Sequence, residues 1–160
     1  MPENRIASIS LDETSILRRS ETVAREREVA LRDLVEDNVF TPCRAAEAGH
    51  EGPWDLTLAV RESRLEFDVH DARGEQAPGI ALGITRFRRV IREYFAICDS
   101  YYKALRQASA PELETIDMAR RGIHDRGTRQ LMEALEGKID TDFATARRIF
   151  TLLCVLHIKG

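Results

Sequence analysis

Arg120, Arg121, His124 and Arg126 lie within seven residues of one another in the segment Ile116–Gly127, IDMARRGIHDRG. Guanidinium groups offer forked, charge-assisted hydrogen bonds to carboxylate or phosphate. An imidazole titrates near neutrality and can serve as acid, base or plain donor. Gly122 and Gly127 flank the histidine and can adopt positive φ. They mark an expected bend, where one helical pattern stops and the next begins. At such a bend backbone N–H groups converge and add to anion binding. The segment therefore reads as a place to hold an anion. The plainer alternative is a helix–turn–helix corner. There Arg120 and Arg121 pair with Glu114, Asp117 or Asp125, and His124 caps backbone groups.

Other chemistries find less support. The remaining histidines, His50, His70 and His157, are far apart in sequence, and no HxxxH or HxH spacing occurs, so no metal site is expected. Cys43, Cys98 and Cys154 form no CxxC pair, which points to neither zinc nor a disulfide framework. Cys98 and Cys154 fall among apolar residues at helical spacing and read as small buried hydrophobes. Cys43 sits in an expected loop with no activating neighbour in view. Walker, Rossmann and GxSxG patterns are missing from the sequence, and no cofactor is expected.

The 160 residues carry a net charge of −3, unevenly spread. Residues 1–79 hold 10 basic and 17 acidic side chains; residues 85–129 hold 10 basic and 6 acidic. Either the two halves pair with each other, or the basic stretch faces an anionic partner. Of the 24 basic residues 21 are arginine, the type suited to bidentate contacts. Arg86, Arg88, Arg89 and Arg92 crowd the start of an expected helix, where they oppose its dipole and call for nearby acids. Arg147 and Arg148 sit on an otherwise apolar helix; at least one is expected to pair with Asp142 or Glu136. Overall acidity and aromatics at core spacing argue against nucleic acid as a partner. The longest apolar run, Leu152–Leu156, is too short to span a membrane. The N-terminal MPENRIASIS lacks an apolar signal core, so the chain reads as cytoplasmic.

The elements that must position these residues follow from periodicity. Ala7, Ile9 and Leu11 alternate as a first strand, followed by a polar connection over 12–20. Val23, Arg27, Ala30, Leu31, Leu34 and Val35 trace an amphipathic helix whose polar face includes Arg25 to Glu28. Residues 41–53 have no period and read as a surface loop. Leu56–Val60 and Leu65–Val69 alternate across a short RESR link, an antiparallel hairpin; Ile80, Leu82 and Ile84 make a further strand. After Thr85 everything reads as helix. Phe87 to Leu105 is one helix, and Ser109-Ala110-Pro111-Glu112 starts a second. A third, short one, capped by Asp125 or Thr128, stops at Gly137. The last begins at Asp140 or Thr141 and is apolar nearly all round from Phe143 to Ile158. Strands early and helices late make one α+β domain over 1–160, a small antiparallel sheet of about four strands packed against a mostly helical C-terminal half.

The segments Glu26–Asn38 (EREVALRDLVEDN), Phe87–Tyr102 (FRRVIREYFAICDSYY), IDMARRGIHDRG and Thr145–Ile158 (TARRIFTLLCVLHI) resemble, in this order, uncharacterised protein family 0262. That family comprises small single-domain bacterial proteins without assigned activity, cofactor or catalytic residue, so the resemblance implies no role for any side chain. The residues themselves suggest a small binding or regulatory protein. Its Arg120, Arg121, His124 and Arg126 cluster would receive an anionic small molecule or an acidic protein partner. The alternative is an enzyme acting on a phosphorylated small molecule, with His124 as acid or base and Asp117 or Asp125 orienting it. A third reading is a structural subunit of a homodimer.

Overall fold

The computed structural model describes residues 3–13 and 20–157. Most of the expected 12–20 connection, and Ile158 at the end of the last helix, lie outside the described residues. The elements run β1 (Ile6–Leu11), α1 (Glu21–Glu36), β2 (Phe40–Pro42), α2 (Cys43–Glu47), β3 (Trp54–Arg61), β4 (Arg64–His70) and β5 (Ile80–Gly83). One 3-10 turn then leads into α3 (Arg88–Gln107), α4 (Ala110–Leu135), β6 (Ile139–Thr141) and α5 (Phe143–His157).

The α+β reading holds, with one change to the sheet. Its order is β1-β3-β4-β5, and β1 runs parallel to β3 while the other pairs are antiparallel. The parallel pair exists because α1 lies between the two strands and supplies a crossover, which a hairpin-length link cannot do. A register shift between Ile6 and Ser8 adds a residue to β1. Ile6 is therefore buried on the same side as Ile9 and Leu11, against simple alternation. The expected hairpin is present, with Leu58 opposite Phe67 and Arg61 opposite Arg64. Its two-residue turn places Glu62 and Ser63 at φ 51° and 61°, the left-handed geometry that matches strand twist.

Trp54, Leu56, Leu58, Leu65, Phe67, Val69 and Leu82 are all buried, while Asp55, Ala81 and Gly83 are exposed on the alternate positions. Onto the buried face packs α5, whose run from Ile149 to Leu156 is buried in full. That confirms the all-round apolar pattern: α1, α4 and β3 enclose this helix. Residues 41–53 are not a plain loop. They hold the last two residues of β2, which pairs antiparallel with β6, and the single turn of α2. Asp140 and Thr141, read as the start of the last helix, belong to β6 instead. Asp142 then caps α5, accepting from the Thr145 amide at 2.8 Å.

The largest departure concerns the bend. α4 continues unbroken from Ala110 to Leu135, so Gly122 and Gly127 are helical, and no second helix starts at Asp125 or Thr128. Gly137, at φ +76°, does end the helix as its sequence suggested. Gly127 is required for a different reason: a Cβ there would lie 2.2 Å from Phe150 Cζ. Its absence lets the α4 backbone approach the Phe150 ring of α5. At Gly122 an added Cβ meets nothing within 4 Å.

These two glycines predict opposite outcomes in urea unfolding. Gly127→Ala should lose about 1–3 kcal/mol by overpacking against Phe150. Gly122→Ala should gain about 0.5–1 kcal/mol, because an exposed helical glycine costs backbone entropy for no packing benefit. Equal effects at both positions would contradict the continuous helix.

Candidate functional site

The α1 helix begins at Ser20, whose hydroxyl accepts from the Val23 amide at 3.1 Å. From there Val23, Glu26, Ala30 and Leu34 follow at helical spacing and are all buried. Glu26 thus occupies a core position, with 8% of its surface exposed, and does not belong to the polar face. A buried carboxylate is costly unless donors meet it. Three come from one face of α3, spaced four residues apart. Tyr94 donates to Oε2 at 3.0 Å, Tyr102 to Oε1 at 2.8 Å, and the Cys98 thiol approaches Oε1 at 3.9 Å. Burial, then the nearby Glu26 charge, pushes the Cys98 thiol up to about 12 and raises both phenols well above their ordinary range. All three stay protonated and remain donors. No lysine or arginine forms an ion pair with Glu26 among the described residues.

The second buried group is His124, on α4. Its ring lies 4.8 Å from that of Tyr94 and 5.7 Å from that of Phe150, centroid to centroid. Arg147 Nε on α5 donates to Nδ1 at 3.0 Å, which leaves the proton on Nε2. Nε2 then faces the Arg147 carbonyl at 3.1 Å and the Thr151 hydroxyl at 2.8 Å. Burial, followed by the Arg147 charge, lowers this imidazole to about 3. It is neutral at physiological pH. Neither Asp117 nor Asp125, the expected orienting carboxylates, bonds to the ring.

Between these groups lies a cavity of about 340 Å³. α1 contributes Glu26 and Asp33, α3 Tyr94, α4 Arg120 and His124, and α5 Arg147, Arg148 and Thr151. The cluster foreseen at Arg120, Arg121, His124 and Arg126 is therefore split. Arg120 and His124, one turn apart, face the cavity. Arg120 bonds Asp117 at 2.8 Å and stacks 4.5 Å over the Tyr101 ring. Burial opposes its charge most strongly, but the Asp117 bond, nearby Tyr94 and Glu26, and the Asp117 charge together outweigh it and raise the pKa. Arg121 turns outward to Asp117 at 3.3 Å, and Arg126 pairs with Glu93 of α3. Without a bend, a continuous helix fans these four residues around its axis.

Arg147 and Arg148 replace the two lost members. Neither makes an ion pair among the described residues, and Asp142, expected to pair with one, caps α5 instead. Among the described residues, Arg147 gives Nε to His124 and finds no acceptor for either terminal nitrogen, and Arg148 reaches only the Ala144 carbonyl, at 3.2 Å. Of the α3 arginines, Arg89 pairs with Glu93 of its own helix at 3.1 Å, not with the acidic N-terminal half. Sequence could have flagged Glu26, three residues after Val23 and four before Ala30 on the buried stripe.

One group could supply metal ligands, though sequence spacing hid it. His50, Asp71 and Glu75 bring one ligand atom each within 4.8 Å of one another. Asp71 Oδ2 meets His50 Nδ1 at 2.7 Å, and Oδ1 accepts the Arg73 and Glu75 amides at 2.9 Å. The bond from His50, against some burial, holds the Asp71 carboxyl below its usual range. These bonds also explain the pair as a clasp between two loops. Cys43 is half-buried, and burial raises its thiol, which makes it a poor nucleophile. Among the described residues no helix is long and apolar enough to cross a membrane.

The His124 environment sets a pH dependence. Its folded pKa of about 3 lies below the unfolded 6.5, so the unfolded chain takes up the proton first. The associated stability is complete above pH 6.5 and drains away as pH falls toward 3. Urea titrations of His124→Gln between pH 7 and 5 should show a shallower decline than the native chain, by up to roughly 1.4 kcal/mol per pH unit. Parallel curves would contradict a buried neutral ring.

Comparison with known proteins matches residues 3–159 to an uncharacterised protein family, UPF0262. A UPF0262 protein of Erythrobacter litoralis is 56% identical over 160 residues, covering 100% of both chains. One from Novosphingobium aromaticivorans is 56% identical, again over 100% of both chains. The Xanthobacter autotrophicus protein is 47% identical over 99% of this chain and 95% of its own. No solved structure matches. The four segments that suggested this likeness carry α1, α3, the centre of α4 and α5, the helices that wall the cavity, and the chain belongs to the UPF0262 family.

Proposed function

We propose that this is a binding protein for a small anionic ligand, taken up in the cavity between α1, α3, α4 and α5. The observation that carries the reading is Arg147. Its Nε is fixed on His124, its terminal nitrogens have no acceptor among the described residues, and it lines a cavity of about 340 Å³. A guanidinium held by one nitrogen presents the others in a set direction, which suits carboxylate or phosphate oxygens. Arg148 stands beside it, and Arg120 adds charge from the next helix. The volume falls in the range of small-molecule sites. An acidic protein surface fits less well, since an inset cavity admits a single group more readily than a flat patch.

Binding fits the geometry better than acid–base catalysis by His124. A general acid must carry a proton to give at neutral pH, and a general base needs a free lone pair. This ring is neutral, with Nδ1 occupied by Arg147 and Nε2 by the Arg147 carbonyl and Thr151. His124 lines the cavity but holds Arg147 in place, with neither ring nitrogen left open.

Thermal-shift and calorimetric titration with inorganic phosphate, sugar phosphates and small carboxylates tests this. At least one should stabilise the protein, with affinity falling about tenfold or more in Arg147→Gln, the loss typical of a charged hydrogen bond. Arg121→Ala, outside the cavity, should bind as the native chain does. No stabilisation by any anion, or equal losses in both variants, would overturn the reading.

A further inference from the structure

Glu26 and Asp33 share the cavity with Arg147 and Arg148, and this pairing narrows the ligand class. Resting on the anion-binding reading above, we infer that the ligand is zwitterionic: an α-amino acid whose carboxylate meets Arg147 and whose ammonium meets Glu26. Each half has its own observation. On α5, two guanidinium groups line the cavity without an ion-pair partner among the described residues. On α1, a carboxylate with 8% of its surface exposed is met only by neutral donors, two phenols and a thiol. Arg120 feels the Glu26 charge but is bonded to Asp117, so among the described residues no cation meets the buried carboxylate directly. A cavity beside it is where a ligand cation would offset the cost of its burial. Oε2, bonded by Tyr94 alone, keeps a lone pair, whereas Oε1 already meets Tyr102 and Cys98. Asp33 adds negative charge on the same helix face, two turns along; among the described residues its one ion pair, with Arg32, is long at 3.7 Å.

The rim specifies more. Val29 and Phe143 line the cavity while 40% and 38% exposed. Apolar side chains left in water at the edge of a charged hollow fit the side chain of a hydrophobic amino acid better than a polar one. A plain phosphate or dicarboxylate would gain nothing from Val29 and would face repulsion from Glu26 and Asp33. The charge pattern therefore discriminates among anions as well as attracting them.

Calorimetry with three matched compounds tests the inference: L-phenylalanine, its des-amino analogue 3-phenylpropanoate, and its decarboxylated analogue phenethylamine. The leucine series (L-leucine, 4-methylpentanoate, 3-methylbutylamine) runs in parallel. In at least one series the amino acid should bind about tenfold or more tighter than either analogue. Glu26→Gln should abolish the preference for the amino acid over the des-amino acid, weakening the former and tightening the latter as its repulsion is relieved. Asp33→Asn, more exposed and uninvolved in the tyrosine bonds, gives a second variant should Glu26→Gln fold poorly; it should weaken the amino acid selectively. Des-amino acids or inorganic phosphate binding as tightly as the amino acids would overturn this inference and leave anion binding intact. No binding by the amino acids, the des-amino acids or any other anion would overturn both.

Discussion

Two ionisable groups sit where this fold would otherwise place apolar side chains, and the arrangement of the helices follows from satisfying them. Glu26 projects from the buried stripe of α1 and must find donors; Tyr94, Cys98 and Tyr102 supply them from α3. His124 projects from α4 into an aromatic setting and is met by Arg147 and Thr151 of α5. Each set of bonds ties one helix to another at a fixed register. Groups this buried tolerate little displacement, because a lost partner leaves the full desolvation penalty uncompensated. The space left between the two clasps is the cavity.

Around that polar layer the remaining structure is conventional in its physics. The sheet buries one face, α5 fills the centre, and Gly127 lets α4 come close enough for its histidine to reach α5. That close approach links packing to the site. If Gly127 carried a side chain, the Phe150 ring would be displaced, and the His124–Arg147 contact a turn away would be displaced with it. Arg147 then serves two roles at once. Its Nε and carbonyl bracket the imidazole, and its outer nitrogens are left to the cavity.

Much of the fold was legible in the sequence, because alternation at Leu56–Val60 and Leu65–Val69 and the apolar run of α5 report burial directly. What was not legible has physical causes. The crossover that makes β1 parallel depends on where a helix packs, which periodicity does not encode. β2 and β6 are three residues each, too short to show a period. Gly122 and Gly127 looked like a hinge since glycine signals both backbone freedom and close packing; the sequence does not tell the two apart. The site was half legible. Arg120 and His124, four apart, do share a face, while Arg121 and Arg126 leave it once the helix is continuous. Glu26 was hidden because a charged residue amid charged neighbours reads as solvated, and Arg147 because its partner lies 23 residues away on another helix.

Binding in this cavity depends on the positive charge left over at Arg147. Soaking crystals with selenate, an anomalous scatterer shaped like sulfate and phosphate, tests it most directly. An anomalous peak should appear inside the cavity within hydrogen-bonding reach of the Arg147 terminal nitrogens. Peaks confined to exposed arginines such as Arg64 and Arg92, with Arg147 turned onto Glu26 or Asp33, would contradict it.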